Sequence, residues 1–485
     1  MPTSPKSKSS SAIAQPPQWI KSLYGDISFE ELSKFAMLGA VFFCIIGSYW
    51  LLRPLKDGLF FAIVGGKEWQ PTAKMLSVIV VGAVVVSYQR AVDVLDRVTL
   101  FYAITAFFGL SFIGVAIALL HPTIGLTNAT PSPDRYFGWI VYFLIETYGS
   151  LTVSMFWSFV SSITNSASAR RGYAIVVGFG NVGAIVGPLL AVNAESLGMV
   201  VLFGVGGWAV LLSTVLLRSF VSMQGGRAGL ARARASIEQA SGATKEAEEG
   251  RAAASSAAPK PKANFTEGLR IIATRPYVTG IFLVSTLYEV IATLTDYQMK
   301  VIAASTPEYS SPEGLTSFLG TFGMATNGLA LVISLLGSSY LMRRFGVRFC
   351  LLAYPTSVAL ASCMLFLFSS SQPSTLLWMA FAAMVTVKGL SYALQNPAKE
   401  ILYIPTAPIA VKFKAKSFID TFGSRGAKAF GSLMTGSVLK GAADASSMMR
   451  QGSVMSLAVV SVWLVAAQRV GREFQRLTDF DEIVE

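Results

Sequence analysis

The feature that most constrains this chain is a series of apolar stretches, each long enough to cross a lipid bilayer. A membrane-spanning helix needs about 20 mainly apolar residues. Such stretches lie at 35–55, 72–90, 98–120, 136–163, 173–193, 199–221, 276–302, 316–342, 347–369, 374–396, 417–440 and 452–469. In lipid every backbone polar group must be bonded internally, and a helix achieves this within one segment. The sequence therefore predicts an all-α membrane protein with twelve transmembrane helices.

The composition agrees with this class. Of the 485 residues, 53% are hydrophobic and 14% are charged, whereas a soluble protein carries roughly 25% charged residues. The net charge of +12 could suggest nucleic-acid binding, but many basic residues lie in connections on one side of the predicted bundle, such as Arg170, Arg171, Arg343 and Arg344. Basic loops face the cytoplasm or its equivalent. We therefore predict both termini on that side and no nucleic-acid partner.

Signals for catalysis or for a bound cofactor are weak. The cysteines at 44, 350 and 363 lie in separate apolar stretches without a CxxC pair, and the single histidine, His121, follows an apolar stretch beside Pro122. This pattern suggests neither a metal site nor a disulfide framework. We also find no Walker-type phosphate loop. We expect no cofactor, and a membrane enzyme or a channel is a weaker alternative than a transporter.

Composition shifts divide the chain into five parts. A Ser/Pro/Lys-rich arm (1–34) is predicted to be disordered, and two six-helix halves (35–221 and 267–470) follow. Between them, 222–266 is rich in Ala, Ser, Gly, Glu and Lys and has no apolar periodicity, so we expect a flexible linker. Residues 471–485 are predicted to form a C-terminal tail.

The two halves repeat one another. Three pairs of elements recur six helices apart: FGNVGAIVG (179–187) with FGSRGAKAFG (422–431), SYQRAVDVLDR (87–97) with SYLMRRFGVR (339–348), and Lys56-Asp57 with Asp296 and Lys300. Chance similarity of Gly-rich helices is the alternative. Because the three matches occur in the same order, we favour two halves in parallel repeat, the plan of a major-facilitator-like transporter.

Several predicted helices carry ionisable residues within their apolar stretches. A charge at bilayer depth costs at least about 2.5–3.5 kcal/mol on insertion scales, so it normally faces a polar pathway and has a partner. The residues concerned are Arg53, Lys56, Asp57, Glu146, Glu289, Asp296, Lys300, Lys388, Asp420, Arg425 and Lys428. The excess of cations predicts a route for an anion.

The first span ends in RPLKDGLF (53–60), where Pro54 and Gly58 are expected to weaken the helix. Lys56 and Arg53 suit phosphate oxygens, although both could instead extend to the membrane interface.

Glu146 must pair or protonate within the membrane. Lys56 or Lys428 are its expected partners, and a purely structural ion pair is the alternative. Glu289 is interpreted in the same way. Asp296 and Lys300 can pair at i,i+4 on one helix face.

Arg425 and Lys428 form the strongest local signal, because they are three residues apart and share a helix face. The matching positions of the first half, Val182 and Ile185, are apolar. Packing of the repeat therefore does not require these cations, which favours a binding role. Lys388, in the middle of its span, adds a further cation.

Four stretches make the chain resemble the ATP/ADP translocase family of plastids and obligate intracellular bacteria. They are LRPLKDGLF (52–60), YFLIETYGSLTVSMFWSF (142–159), LYEVIATLTDYQMK (287–300), and QNPAKEILYIP (395–405) followed by KFKAKSFIDTFGSRGAK (412–428). The family's intramembrane charge quartet falls on Lys56, Glu146, Glu289 and Lys428. The resemblance implies a multi-pass nucleotide transporter, in a plastid or other organelle envelope or in a bacterial inner membrane.

This resemblance implies exchange of ATP and ADP by alternating access. Lys56, Lys428 and Arg425 would bind the polyphosphate with Arg53, and Lys300 and Lys388 would be secondary. Relatives also carry other nucleotides or couple uptake to protons. The chain departs from the family's usual pattern at RPLKD, in IATLTDYQMK, and in TAPIAV after YIP. Proton-coupled nucleotide uptake and transport of another organic anion therefore remain as alternatives. The expected partners are nucleotides and the bilayer.

Overall fold

The computed structural model describes residues 28–232, 235, 265–336, 338–403, 405 and 415–479. Twelve long helices dominate this part of the chain. In the first half they are α1 Phe29–Ile63, α2 Gly66–Val94, α3 Arg97–Ala118, α4 Tyr136–Ser162, α5 Ser166–Val192 and α6 Met199–Met223. In the second half they are α7 Pro276–Ser305, α8 Pro312–Leu336, α9 Ser338–Leu367, α10 Pro373–Leu390, α11 Ser424–Gly441 and α12 Ala445–Asp479. This confirms an all-α fold.

Eleven helices of the described chain are long and apolar enough to cross a membrane. The exception is α11. Its three basic residues, Arg425, Lys428 and Lys440, lower its mean hydropathy below that of an ordinary membrane-spanning helix. It nevertheless belongs to a helical run that includes Lys416–Phe418 and a π-helical turn, Ile419–Gly423. The predicted span 417–440 is thus helical, but its charged residues make it less apolar than the other eleven.

Local sequence signals account for several helix ends. The Ser28 hydroxyl accepts the Glu31 N–H at the start of α1, and Asp96 accepts the Val98 and Thr99 N–H groups at the start of α3. Such caps satisfy backbone donors that have no partner within the helix. Proline begins α7 and α10, where its missing N–H has no cost.

The helices pack in the same pattern in both halves. In the first half α1 packs on α5 and α6, and α3 packs on α6; in the second half α7 packs on α11 and α12, and α9 packs on α12. Between the halves, α2 contacts α11 and α5 contacts α8. These equivalent contacts support the repeat predicted from the sequence.

The repeated glycines lie at matching helix contacts. A Cβ added to Gly180 of α5 would lie 2.5 Å from Cε1 of the Phe42 ring of α1. One added to the matching Gly423, in the turn before α11, would lie 3.0 Å from Thr286 Cγ2 of α7. Small residues let membrane helices approach this closely, so the repeated glycine motif has a packing role in both halves.

The connections after α2, α4 and α8 lie beside Arg97, Arg171 and Arg344. Short connections make neighbouring helices antiparallel, so these connections share one side of the bundle. We call this side the basic face and the other the opposite face.

The first span is longer than predicted, and the predicted weakening at Pro54 and Gly58 is wrong. Helix α1 continues through both residues to Ile63. Gly58 instead permits a helix contact, because a Cβ there would lie 2.6 Å from the Pro312 carbonyl oxygen at the start of α8. Here the glycine serves packing between the halves rather than a break in the helix.

Other boundaries also differ from the sequence prediction. α9 begins at Ser338 and bends at Gly346, whose φ of 82° interrupts the helical geometry. α12 continues to Asp479, well into the predicted tail, because its last turns still bury Phe474 and Leu477. Residues 226–232 are helical, and a further helix, Phe265–Thr274, precedes α7. Most of the predicted arm and linker, namely 1–27, 233–234 and 236–264, lies outside the described residues.

Candidate functional site

Seven charged side chains form a continuous ion-pair network between the two halves. Its members are Lys56 and Asp57 on α1, Lys74 on α2, Glu146 on α4, Asp296 and Lys300 on α7, and Lys388 on α10. We call this set the ion-pair network. The sequence pairs Lys56-Asp57 of the first half with Asp296 and Lys300 of the second half as repeats of one another. The network joins these two pairs directly, because Lys300 of α7 bonds Asp57 of α1.

The distances within the ion-pair network are short. Lys56 Nζ lies 2.5 Å from Glu146 Oε1 and 3.5 Å from Asp57 Oδ1. Lys300 Nζ lies 2.8 Å from Asp57 Oδ2 and 2.6 Å from Asp296 Oδ2. The predicted pairs Lys56–Glu146 and Asp296–Lys300 are therefore confirmed as contacts.

Asp296 is the centre of the network. Besides Lys300, its carboxylate holds Lys388 at 2.7 Å and Lys74 at 3.6 Å. Lys56, Asp57, Asp296, Lys300 and Lys388 are all buried. Removing one member of such a set leaves an uncompensated buried charge, which is strongly destabilising.

The ion-pair network belongs to a wider closure of the opposite face. Asp57 lies near the end of α1 and Lys300 near the end of α7. Further bonds between the halves run from the Tyr297 hydroxyl to the Lys67 carbonyl, and from the Ser317 hydroxyl to the Val192 carbonyl at 2.6 Å. These contacts are all in the part of the bundle nearer the opposite face. The halves are thus closed against each other there.

Little space remains inside this closure. A cavity of about 30 Å³ lies among Trp50, Arg53, Asp57, Lys300 and Phe322. That volume is about the share of one water molecule in the liquid. A nucleotide cannot pass this part of the bundle until the halves separate.

A second polar set lies deeper between the halves, at the middle of the spans. We call Arg53, Glu146, Glu289, Arg425 and Lys428 the central polar group. Lys428 Nζ is 3.7 Å from Glu289 Oε2, with 46% of the Lys428 side chain and 23% of the Glu289 side chain exposed. Glu146 is 32% exposed and interacts electrostatically with Lys428, Arg53 and Arg425. Glu146 therefore belongs to both sets.

The two arginines of the central polar group have no close carboxylate. Among the described residues, neither Arg53 nor Arg425 has a carboxylate oxygen within 4.0 Å. The Arg53 guanidinium lies over the Trp50 ring, 5.1 Å from its centroid. Guanidinium groups bind phosphate oxygens in a bidentate manner. The central polar group therefore has free capacity for an anion.

Two π-helical turns lie beside the central polar group, and the sequence did not predict them. One, Ser391–Gln395, follows α10, and the other, Ile419–Gly423, precedes α11. Such turns occur frequently at functional sites. Tyr392 of the first turn is 41% exposed and interacts electrostatically with Arg53 and Lys428. No motif marks a π-turn, so Tyr392 was missed.

The structure separates the predicted site residues into two groups. Arg53, Glu146, Glu289, Arg425 and Lys428 form the central polar group and are all at least partly exposed, whereas Lys56, Lys300 and Lys388 have buried carboxylate partners in the ion-pair network. Lys74 and Gln70 were not predicted. Gln70 donates to Asp57 at 3.0 Å. Lys74 could have been noticed, because it lies just inside the predicted span 72–90.

Comparisons with known proteins extend over nearly the whole chain. The family model of the TLC ATP/ADP transporter matches residues 10–474. The chain is 25% identical to ADP,ATP carrier protein 1 of Chlamydia pneumoniae, over 94% of each chain. It is 26% identical to the plastidic ATP/ADP-transporter of Solanum tuberosum, over 94% of this chain and 75% of the relative.

Solved structures agree on the fold. A bacterial homologue of the iron transporter ferroportin, in an inward-facing state, superposes with a TM-score of 0.61 at 14% identity, over 92% of this chain and 100% of that one. The nucleoside transporter NupG gives a TM-score of 0.60 at 12% identity, over 91% and 99%. The fold is major-facilitator-like. The chain is an integral, multi-pass membrane transporter and not an enzyme, and it belongs to the TLC ATP/ADP transporter family of nucleotide transporters.

Proposed function

We propose that this protein exchanges ATP for ADP across its membrane by alternating access, with the polyphosphate bound by the central polar group. The observation that carries the proposal is that Arg53, Arg425 and Lys428 lie at membrane depth without a tight carboxylate partner among the described residues. Unpaired cations in a membrane interior are costly, so a site that retains them is suited to an anion. The relatives named ADP,ATP carriers support the choice of nucleotide.

In this proposal the two glutamates hold lysines while the site is empty. Glu146 bonds Lys56, and Glu289 lies at 3.7 Å from Lys428. An arriving phosphate would replace these carboxylates and take over Lys428 and Lys56, with Arg425 and Arg53 completing its coordination. A polyphosphate carries more negative charge than a single carboxylate and can accept charge-assisted bonds from several cations at once, which favours this replacement.

Lys300 and Lys388 would act indirectly in this proposal, through the ion-pair network. Their carboxylate partners, Asp57 and Asp296, hold the halves together at the opposite face. Opening that face requires the Lys300–Asp57 and Lys74–Asp296 contacts to break. Entry of a polyphosphate beside Lys56 would weaken its contacts with Glu146 and Asp57, and so couple substrate binding to opening.

Exchange, rather than one-way uptake, follows from the charge balance. With no phosphate present, the empty carrier would have to move incompletely paired cations through a constriction of low dielectric constant. That movement carries a desolvation penalty, so the empty carrier should reorient slowly.

The test is uptake of labelled ATP by proteoliposomes. We expect ATP to enter vesicles loaded with ADP much faster than empty vesicles, with little effect of a protonophore. Loading the vesicles with other nucleotides and organic anions in turn identifies the exchanged class. If no nucleotide accelerates uptake while another organic anion does, nucleotide exchange is excluded.

Proton-coupled nucleotide uptake is the second candidate. It is favoured by the partial exposure of the Glu146 and Glu289 side chains, which could bind protons from solvent. It predicts equal rates into loaded and empty vesicles, and collapse of uptake when a protonophore is added. On either proposal the membrane is an organelle envelope or a bacterial inner membrane.

A further inference from the structure

A large cavity lies apart from the central polar group, at the basic-face end of the second half. It measures about 1700 Å³ and is formed by the helix Phe265–Thr274, the start of α7 and the last turns of α12. Pockets for small molecules measure about 300–1,000 Å³. This cavity is therefore large enough for a longer, amphiphilic molecule.

Arginines dominate the polar part of this cavity. Its lining includes Arg270, Arg275, Arg469 and Arg476 but only one carboxylate, Glu473. Glu473 bonds Arg476 at 2.7 Å. The lining thus has a marked excess of positive charge, which complements an anionic group.

The rest of the lining is mainly apolar and includes side chains that face the membrane. Val462 and Val465 of α12 are about half exposed, and Leu283 of α7 lies across from them. On α12, Val462, Val465, Arg469 and Arg476 follow the spacing of a single helix face. Because α12 runs toward the basic face, the arginines lie at the membrane surface and the valines one to two turns deeper. A phospholipid has the same order, with phosphate at the surface and acyl chains beneath.

We propose that this cavity binds an anionic phospholipid from the leaflet at the basic face. The arginines hold its phosphate through charge-assisted bonds, and Val462, Val465 and Leu283 contact an acyl chain. Basic pockets between helices at the membrane surface are suited to such headgroups. Free phosphate or a nucleotide would use the arginines alone, whereas a lipid uses both parts of the lining.

The test measures thermal unfolding of the purified full-length protein in neutral detergent, with phosphatidylglycerol or phosphatidylcholine added. We expect a larger increase of Tm with phosphatidylglycerol. The double variant Arg275→Gln/Arg469→Gln should lose this difference, with binding weakened about tenfold for each phosphate contact removed. Arg472→Gln is the matched control, because Arg472 is exposed on the same helix but does not line the cavity. It should respond like the wild type.

Two further measurements keep the proposal open to contradiction. If the double variant does not fold, Val465→Trp, which fills the apolar part without changing charge, should reduce the response to phosphatidylglycerol. Glycerol phosphate, which has no acyl chains, should give no shift at the same concentration. An equal shift with glycerol phosphate would show a free phosphate site and overturn the assignment. No preference for phosphatidylglycerol in the wild type, or a full response in the double variant, would also overturn it.

Discussion

The ion-pair network and the central polar group both combine cations with carboxylates, but they differ in how those side chains are paired. In the network, Lys300 and Lys388 are buried and lie within 2.8 Å of a carboxylate oxygen. In the central polar group, Lys428 is half exposed and its carboxylate is 3.7 Å away. A lysine held tightly by a buried carboxylate is already neutralised, whereas a loosely paired lysine can still bind another anion. This difference is the basis of our proposal that the network holds the halves closed and that the central polar group receives the anion.

Asp296→Asn should have the largest effect. The substitution leaves Lys74, Lys300 and Lys388 around a neutral amide, and breaking a buried set in this way costs about 3–5 kcal/mol. We expect a large decrease of Tm in detergent, or no folded protein. The matched control is Glu400→Gln, because Glu400 pairs with Lys416 but is 49% exposed. Exposed pairs contribute about 0.2–1 kcal/mol. Similar Tm values for the two variants would contradict the role of the network.

Comparison of Lys428→Ala with Lys56→Ala separates an effect on ATP uptake from an effect on stability. Lys428→Ala should lose ATP uptake and remain as stable as the wild type, because the Glu289 side chain is 23% exposed and water can solvate it. Lys56→Ala should lose uptake and also stability, because it leaves Glu146 and buried Asp57 without this partner. Uptake and Tm are measured on the same preparations. Wild-type uptake by folded Lys428→Ala protein would contradict the site.

A charge exchange between the halves tests the closure. Asp57→Lys and Lys300→Asp each place like charges together, so each should abolish uptake. The double variant restores an ion pair between α1 and α7 and should recover part of the uptake. The recovery will be incomplete, because the exchanged charges also meet like charges: position 57 lies beside Lys56 and position 300 lies beside Asp296. No recovery at all in a folded double variant would argue against this pair as part of the closure.

Shortening the linker between the halves should have the smallest effect on ATP uptake. Trimming part of 236–258 should leave uptake largely unchanged, since that segment has no apolar periodicity that could form a core. In oriented vesicles, protease should cut it from the side of the basic loops. Cutting only from the other side would reverse the predicted orientation.

The fold was largely predictable because its signals are local. Span length, the glycine motifs of α5 and α11, and the i,i+4 pair Asp296–Lys300 all depend on residues close in sequence. The helix breaks were less predictable. Pro54 and Gly58 suggested a weakened helix, but packing against α8 favours a continuous α1. The end of α12 was missed for the same reason, since its buried residues are set by contacts with other helices.

The candidate site was predictable by residue type but not by arrangement. All eight candidate residues were selected because they are charged and lie within apolar stretches. Charged residues are rare there, since placing a charge at bilayer depth is costly. Their separation into two sets depends on which helices meet across the halves, and no local pattern records this. Tyr392 shows the same limit, because its electrostatic interaction with Arg53 appears only in the folded structure. Lys74 could be noticed as a charge within a predicted span, but its ion pair with Asp296 could not.

The most direct test of the distinction between the two regions is ATP binding to purified Lys428→Ala and Lys388→Gln proteins. We expect Lys428→Ala to bind ATP about tenfold or more weakly than the wild type, as for loss of one charge-assisted phosphate contact. Lys388→Gln should keep an ATP Kd close to that of the wild type while its Tm decreases. Unchanged ATP binding by Lys428→Ala, or an equal loss in folded Lys388→Gln, would contradict the assignment of anion binding to the central polar group.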